Sequence, residues 1–127
     1  MEREDVIKNY FLSWIRKDQT EFADTFSKEI VYSECYGPEY RGITEVIKWF
    51  NDWQEHGSVL TWNIKSMIQE KDMLVAEWYF RCVYDGVEDG FDGVSLVQFD
   101  AENKIVSLKE FQSKAEHYYP YGSTADK

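Results

Sequence analysis

Basic residues and histidines are scarce in this sequence. Its 127 residues contain 14 lysines and arginines against 24 aspartates and glutamates, which gives a net charge of −10. A protein that holds the phosphate backbone of a nucleic acid needs a basic face, so we predict no nucleic-acid partner. Two histidines, His56 and His117, are too few to build a histidine metal site or a Ser-His-Asp triad. We therefore expect no metal.

Long hydrophobic runs and cofactor motifs are also missing. No window is apolar enough to span a membrane, and the first residues, MEREDVIKNY, lack the apolar core of a signal peptide. The two cysteines, Cys35 and Cys82, favour reduced thiols when other signs of secretion are lacking. We find no phosphate loop, dinucleotide fingerprint, HExxH or CxxC pair, and so predict no cofactor. The expected protein is cytoplasmic and has no membrane partner.

Aromatic residues, in contrast, are abundant. Five Trp, nine Tyr and eight Phe make up 17% of the chain, far more than a disordered segment contains. The length fits one domain with a single core, which we assign to residues 1–127. We expect the tail, residues 114–127, to pack through Tyr118 and Tyr119 and to fray after Gly122.

Apolar spacing predicts three helices before the main run of strands. The first covers residues 3–17, and the second covers 20–26, after a capping box formed by Asp18 and Glu21. A strand at 30–36 precedes the third helix, which runs from Ile43 until Gly57 ends it. A half-buried strand follows at 59–68, in which Leu60, Trp62, Ile64 and Ile68 alternate with Thr61, Asn63, Lys65 and Met67.

Residues 73–113 form the predicted centre of the fold. Three runs rich in β-branched and aromatic residues are separated by short turns, which is typical of an antiparallel meander. Alternation predicts one mainly apolar face with a few polar positions. We infer that this face lines a cavity into which Trp78, Ser95 and Glu110 project. The residues of the face are Leu74, Ala76, Trp78, Phe80, Cys82 and Tyr84, then Ser95, Val97 and Phe99, then Leu108, Glu110 and Gln112.

These elements predict an α+β fold. We expect a cone in which a strongly curved, mostly antiparallel sheet wraps around three N-terminal helices. The order of elements, with Tyr10 in the first helix, Glu34 late in the first strand, and the runs RGITEVIKWF, AEWYFRC and FDGVSLVQFDAENKIVSLKEF, resembles the nuclear transport factor two-like superfamily. The nearest branch is SnoaL-like and ketosteroid-isomerase-like, and the likeness covers residues 6–113.

The resemblance implies a cystatin-like cone and a homodimer formed through the outer face of the sheet. That face is too apolar to remain exposed to water. Its apolar residues are Tyr79, Val83, Val94, Leu96 and Phe111.

The resemblance also implies site residues. In ketosteroid-isomerase-like enzymes a helix-one tyrosine and a protonated strand aspartic acid hold an enolate oxygen while a first-strand carboxylate moves the proton. These roles fall on Tyr10, Ser95 and Glu34, and Ser95 is a weaker donor than the acid it replaces. In the limonene-epoxide-hydrolase pattern only one acid is matched, by Glu110. SnoaL-like cyclases use a carboxylate in the pocket, which Glu110 or Glu34 supplies.

The candidate catalytic residues are thus Tyr10, Glu34, Ser95 and Glu110. We expect a small apolar molecule, such as a carbonyl compound, as the ligand. The candidate ligand-binding residues are Trp14, Tyr32, Trp49, Trp53, Trp62, Trp78, Phe80, Val97, Leu108 and Gln112.

Three functions remain open on the sequence: a cofactor-independent isomerase or cyclase, a non-catalytic ligand-binding protein, and an oligomerisation module. Single residues also have plainer interpretations. Glu34 could face solvent or pair with Arg41, and Tyr10 could be a core tyrosine.

Overall fold

The computed structural model describes residues 2–122. Within that range the helices are α1 (Arg3–Arg16), α2 (Gln19–Asp24) and α3 (Ile43–His56). The strands are β1 (Phe26–Ser33), β2 (Glu39–Arg41), β3 (Gly57–Glu70), β4 (Met73–Tyr84), β5 (Val87–Phe99) and β6 (Ile105–Ser113). None of the helices in this range is long and apolar enough to cross a membrane.

The strands form one curled sheet in the order β2-β1-β6-β5-β4-β3. The β1–β6 pair is parallel, and the other pairs are antiparallel. Helix α1 packs against β3, and α3 packs against β1 and β2, so the helices cover the inner face. The predicted class, an α+β fold with a curved and mostly antiparallel sheet around the helices, is confirmed.

The two N-terminal helices are held by local hydrogen bonds. The Asp18 side chain accepts a hydrogen bond from the Glu21 amide at 3.0 Å, as the capping box predicts. The prediction that α2 continues to Phe26 is wrong. Phe26 is the first residue of β1 and pairs with Ile105, and the Thr25 carbonyl accepts from the Ile105 amide at 3.0 Å. Sheet pairing therefore overrides the helical spacing.

Strand β1 ends three residues earlier than predicted, and β2 was not predicted. Residues Glu39–Arg41 pair antiparallel with residues 31–33 of β1, and a three-residue strand is too short to show a pattern. Glu34 therefore lies just after β1 rather than within it. Its amide donates to the Pro38 carbonyl at 2.9 Å, which closes the turn between the strands.

Strand β3 contains two irregularities that change which side chains face inward. The register with β4 shifts between Val59 and Thr61 and again between Ile64 and Ser66. A bulge adds one residue and reverses the alternation beyond it. The predicted alternation is therefore wrong at both ends of the strand, where Leu60 is 45% and Ile68 is 69% exposed.

The predicted inner face of the meander is confirmed for most of its length. In β4 the side chains from Leu74 to Cys82 on that face are buried, whereas Tyr84 is exposed. Gly93 lies opposite Trp78. A Cβ atom at Gly93 would lie only 2.2 Å from Cη2 of Trp78, so the glycine makes room for the indole.

The tail does not pack as predicted. Residues 114–122 lie outside any helix or strand, and Tyr118 and Tyr119 are exposed. The sheet pairing that could hold the tail ends at Ser113, opposite Asp92. The predicted fraying beyond Gly122 concerns residues outside the described range.

Candidate functional site

A chain of hydrogen bonds runs through the interior from α1 to β6. The Trp14 indole donates to the Tyr10 hydroxyl at 3.0 Å, one helical turn away. The hydroxyl oxygens of Tyr10 and Tyr32 are 2.5 Å apart. When Glu110 is ionised, Tyr32 donates its one hydroxyl proton to Oε2 of Glu110, so the bond between the tyrosines is then donated by Tyr10. All donors in the chain thus point toward the Glu110 carboxylate.

Glu110 is the end point of this chain. The residue is half-buried, and none of the ion pairs among residues 2–122 includes it. The pKa of Glu110 is raised to about 7, mainly by burial. The hydrogen bonds from Tyr32 and the Cys35 amide oppose this rise, and the charge of Glu34 adds to it. Both protonation states are therefore populated near neutral pH.

Glu34 is the second carboxylate of the site. Ser33, the last residue of β1, pairs with Lys109 of β6, and the two strands are parallel. The next residue on each side is therefore Glu34 and Glu110, which lie beside each other. Its Oε1 accepts from the Tyr40 hydroxyl at 3.1 Å, and Trp49 also hydrogen-bonds to it. Burial raises the pKa of Glu34. The alternative pairing with Arg41 is not formed, because Arg41 binds Glu39 at 2.8 Å.

Two connected spaces adjoin these carboxylates. An outer cleft of about 880 Å³ lies between α3, the β1–β2 turn and the β4–β5 hairpin. An inner cavity of about 30 Å³ lies beneath it and is lined by Glu110 and Tyr32. Glu34, Trp49 and Trp53 border both spaces. The predicted ligand-binding cavity stays a prediction, because aromatic side chains fill most of this interior.

Aromatic side chains form the walls of the inner cavity. Seven of the candidate ligand-binding residues line it: Trp14, Tyr32, Trp49, Trp53, Trp62, Trp78 and Phe80. Val97 and Leu108 are fully buried in the core beyond it. Gln112 is exposed, and its Nε2 donates to the Cys35 carbonyl at 3.4 Å.

Two of the candidate catalytic residues lie behind the cavity wall. Tyr10 is fully buried and reaches the site through Tyr32. The hydroxyl of Ser95, also fully buried, accepts from the Trp78 indole at 2.9 Å. Three side chains are predicted from the sequence to project into the cavity. Trp78 and Glu110 line it, whereas Ser95 does not and instead accepts the hydrogen bond of Trp78 in the core.

The thiol of Cys35, which lines the inner cavity, is poorly suited to nucleophilic chemistry. Both Cys35 and Cys82 are free. Burial and the nearby Glu110 and Glu34 carboxylates raise the pKa of Cys35 to about 12, so the thiol stays protonated at neutral pH. Within residues 2–122, no three side chains of His, Cys, Asp or Glu come together as a metal site. Carboxylates, hydroxyls and indole N–H groups are the polar groups of this site.

Sequence reasoning overlooked two features of the site. It assigned Tyr32 to the wall, whereas this tyrosine is the direct hydrogen-bond partner of Glu110. The signal lies in the parallel pairing of β1 with β6, which aligns Tyr32 with Leu108 and cannot be read from either strand alone. It also treated Trp62 as a wall, although its indole N–H has no partner within the described chain.

The curled sheet with helices on its inner face is the fold of solved structures described as nuclear transport factor two-like. The family model described as a SnoaL-like domain matches residues 7–108. The chain therefore belongs to the SnoaL-like domain family. A comparison with curated protein sequences finds no match.

Several solved structures share this fold at low sequence identity. A hypothetical protein with a ketosteroid isomerase-like fold from Catenulispora acidiphila, solved with trimethylamine, has a TM-score of 0.76 at 13% identity, over 85% of each chain. A provisionally assigned SnoaL-like polyketide cyclase from Shewanella denitrificans has a TM-score of 0.71 at 15% identity, over 87% of this chain and 90% of that one. An epoxide hydrolase from M. tuberculosis resembling limonene-epoxide hydrolase has a TM-score of 0.79 at 10% identity, over 87% and 82%. The predicted fold class is confirmed.

Proposed function

We propose that this protein binds a small, mainly apolar carbonyl compound and moves a proton on it without a cofactor. Glu110 is the proposed acid–base group. The observation that carries this proposal is the position of Glu110, which borders the inner cavity, ends the hydrogen-bond chain and has a pKa of about 7. A general acid or base works best when its pKa lies near the working pH.

Each residue of the chain has a distinct role in this proposal. Glu110 takes a proton from the carbon next to the carbonyl group and returns it to the product. Tyr32 holds the carboxylate through its hydrogen bond, and Tyr10 and Trp14 act as positioning residues behind it. Glu34 raises the proton affinity of Glu110 by its charge. The wide outer cleft admits the ligand body.

Membership of the SnoaL-like domain family supports proton transfer as the class of chemistry. The SnoaL-like domain model matches most of the chain, and the structural neighbours include a provisionally assigned polyketide cyclase and an epoxide hydrolase. Cyclisation and isomerisation of carbonyl compounds both begin with proton transfer at carbon, a step for which one carboxylate of suitable pKa suffices.

Deuterium exchange tests the proposal. The ketone 2-indanone carries acidic C–H bonds next to its carbonyl group, and their exchange in D₂O can be followed by proton NMR. We expect the protein to accelerate the exchange and Glu110→Gln to lose about 10²- to 10⁴-fold of that acceleration. Glu55→Gln is the matched control, because Glu55 is exposed on α3. If the exchange rate in Glu110→Gln equals that of the wild-type protein, Glu110 is not the acid–base group.

A second candidate is non-catalytic binding of the same class of ligand. It is favoured by the small inner cavity of about 30 Å³ and by the Ser95 hydroxyl, which is bonded to Trp78 at 2.9 Å instead of facing the cavity. The same experiment separates the two functions. A ketone that binds to the wild-type protein without faster exchange identifies a binding protein.

We also propose a homodimer that forms through the outer face of the sheet. Tyr79, Val83, Val94 and Leu96 are half-buried there, and Phe111 is 56% exposed. Pairing would remove this apolar surface from water. The third function, a module that serves only to assemble oligomers, would require dimerisation with no ligand binding.

Two further assignments from the sequence are proposals as well. The free thiols Cys35 and Cys82 support a reducing compartment such as the cytoplasm. A single domain over residues 1–127 is supported by the one sheet to which every described strand belongs.

A further inference from the structure

The indole N–H of Trp62 is a buried donor without a partner. Trp62 lies on β3 and is only 8% exposed. Within residues 2–122, its Nε1 and the Oε1 atom of Gln54 are the buried side-chain polar atoms that have no hydrogen bond. A donor left unsatisfied in the interior destabilises the folded protein. Gln54 does not line the inner cavity, whereas Trp62 does.

The orientation of this indole is fixed by its neighbours. The Phe11 ring stacks on it with centroids 4.0 Å apart and planes 6° apart. Trp78 and Phe80 contact it edge-on, with centroid distances of 5.4 and 5.0 Å. An indole enclosed between α1 and β4 in this way cannot turn toward another acceptor. Its N–H is thus a preorganised donor.

Four other donors around the cavity are engaged. The indole of Trp78 donates to Ser95, that of Trp14 donates to Tyr10, and that of Trp49 bonds to Glu34. The Tyr32 hydroxyl proton is given to Glu110. Trp62 therefore differs from these four, because its buried N–H has no partner in the described part of the chain.

The dimensions of the inner cavity restrict what can meet this donor. Its volume of about 30 Å³ exceeds the roughly 10–15 Å³ that a cavity needs to hold one water molecule, so a carbonyl group fits and a ring system does not. The outer cleft of about 880 Å³ has room for the rest of a small molecule. The two spaces adjoin at Trp49 and Trp53.

From these observations we infer that Trp62 binds the oxygen of the ligand through its indole N–H. The substrate class is a carbonyl compound whose oxygen is at a narrow end that enters the inner cavity beside Glu110, while its apolar body stays in the outer cleft. This inference rests on the proposed function and narrows its substrate. During proton transfer at the neighbouring carbon, the same N–H would stabilise the negative charge that develops on the oxygen.

The test follows the indole N–H signals of protein labelled with ¹⁵N-tryptophan. Two probes of similar shape are added in turn: 2-indanone, which has a carbonyl oxygen at the tip of its ring, and indane, which lacks it. The signal of Trp62 is identified by its loss in Trp62→Phe. We expect the ketone, and not the hydrocarbon, to move the Trp62 N–H proton downfield. The shift itself is read on the wild-type protein. The variant serves only to assign the signal, which requires that the signals of the other four tryptophans stay in place.

Affinity gives a second readout. Trp62→Phe keeps an aromatic ring against Phe11 but removes the donor, so we expect about 3- to 10-fold weaker binding of 2-indanone and unchanged binding of indane. Ketone binding that leaves the Trp62 signal unmoved would overturn the inference and leave the proposed function intact. If neither probe binds up to its solubility limit, the proposed function fails, and the inference fails with it.

Discussion

The Tyr32 hydroxyl donates a hydrogen bond to the Glu110 carboxylate across the parallel pair of β1 and β6. The hydrogen bond between Tyr10 of α1 and Tyr32 joins the helical layer to the sheet. The bond from Tyr32 to Glu110 places an acid of near-neutral pKa beside the inner cavity. Three aligned donor residues thus serve a single carboxylate, and the predictions below follow from that arrangement.

Removal of the Tyr32 hydroxyl should raise the pKa of Glu110. The hydrogen bond stabilises the charged carboxylate, so Tyr32→Phe is expected to weaken the acidity of Glu110 roughly tenfold. Tyr10→Phe should act in the same direction but less, since it touches Glu110 only through Tyr32. Tyr40→Phe is the control, because Tyr40 bonds to Glu34 instead. Carboxyl ¹³C NMR measures the pKa of Glu110 in each variant. An equal shift in all three variants would contradict the hydrogen-bond chain from Trp14 to Glu110.

Stability should fall as the pH rises toward neutral. The folded-state pKa of Glu110, about 7, lies above its ordinary value of 4.5, so the folded protein holds a proton that the unfolded chain releases. The stabilisation is complete below about pH 4.5 and is lost as the pH passes 7, a change of roughly 3 kcal/mol in the free energy of unfolding. Urea denaturation at several pH values measures it.

The same experiment on Glu110→Gln should show a much smaller fall. Glu34, whose pKa is also raised, accounts for the part that remains. Glu55→Gln, on an exposed face of α3, should keep the wild-type profile. A Glu110→Gln profile identical to that of the wild-type protein would show that another group is responsible.

Gly93→Ala should destabilise the fold by about 1–3 kcal/mol through overpacking. Its Cβ would lie 2.2 Å from the Trp78 indole and 2.6 Å from the Phe111 carbonyl. Trp78→Leu combined with Gly93→Ala should cost less than the sum of the single changes, because the shorter side chain leaves room for the methyl group. Thermal or urea unfolding of the four proteins gives the coupling. Additive costs would mean that the two residues do not compete for space.

The outer face of the sheet should control the oligomeric state. Sedimentation velocity is expected to show a dimer, and Phe111→Lys should shift it toward monomer by placing a charge in the apolar contact. Leu12→Lys, on the exposed side of α1, should leave the dimer intact. A wild-type protein that sediments as a monomer at micromolar concentration would rule out this interface.

The sequence predicts some elements well because their patterns are local. The alternation in β4 holds from Leu74 to Cys82, since that strand pairs with β5 without a bulge. The two bulges in β3 reverse the alternation and leave Ile68 exposed, and nothing in the local pattern marks them. The arrangement of the site depends on the parallel pairing of β1 with β6. That pairing is a long-range contact, which the pattern of a single strand does not reveal. Glu110 could be proposed from its strand, but its bond to Tyr32 could not.

A direct titration of Glu110 tests the central claim. With ¹³C-labelled glutamate and Glu110→Gln to assign the signal, the side-chain carboxyl shift is followed from acid to alkaline pH. We predict a midpoint near pH 7, as burial requires, and a shift of that midpoint when 2-indanone binds. A midpoint near the ordinary value of 4.5 would show that the carboxylate is solvated and has no part in proton transfer near neutral pH.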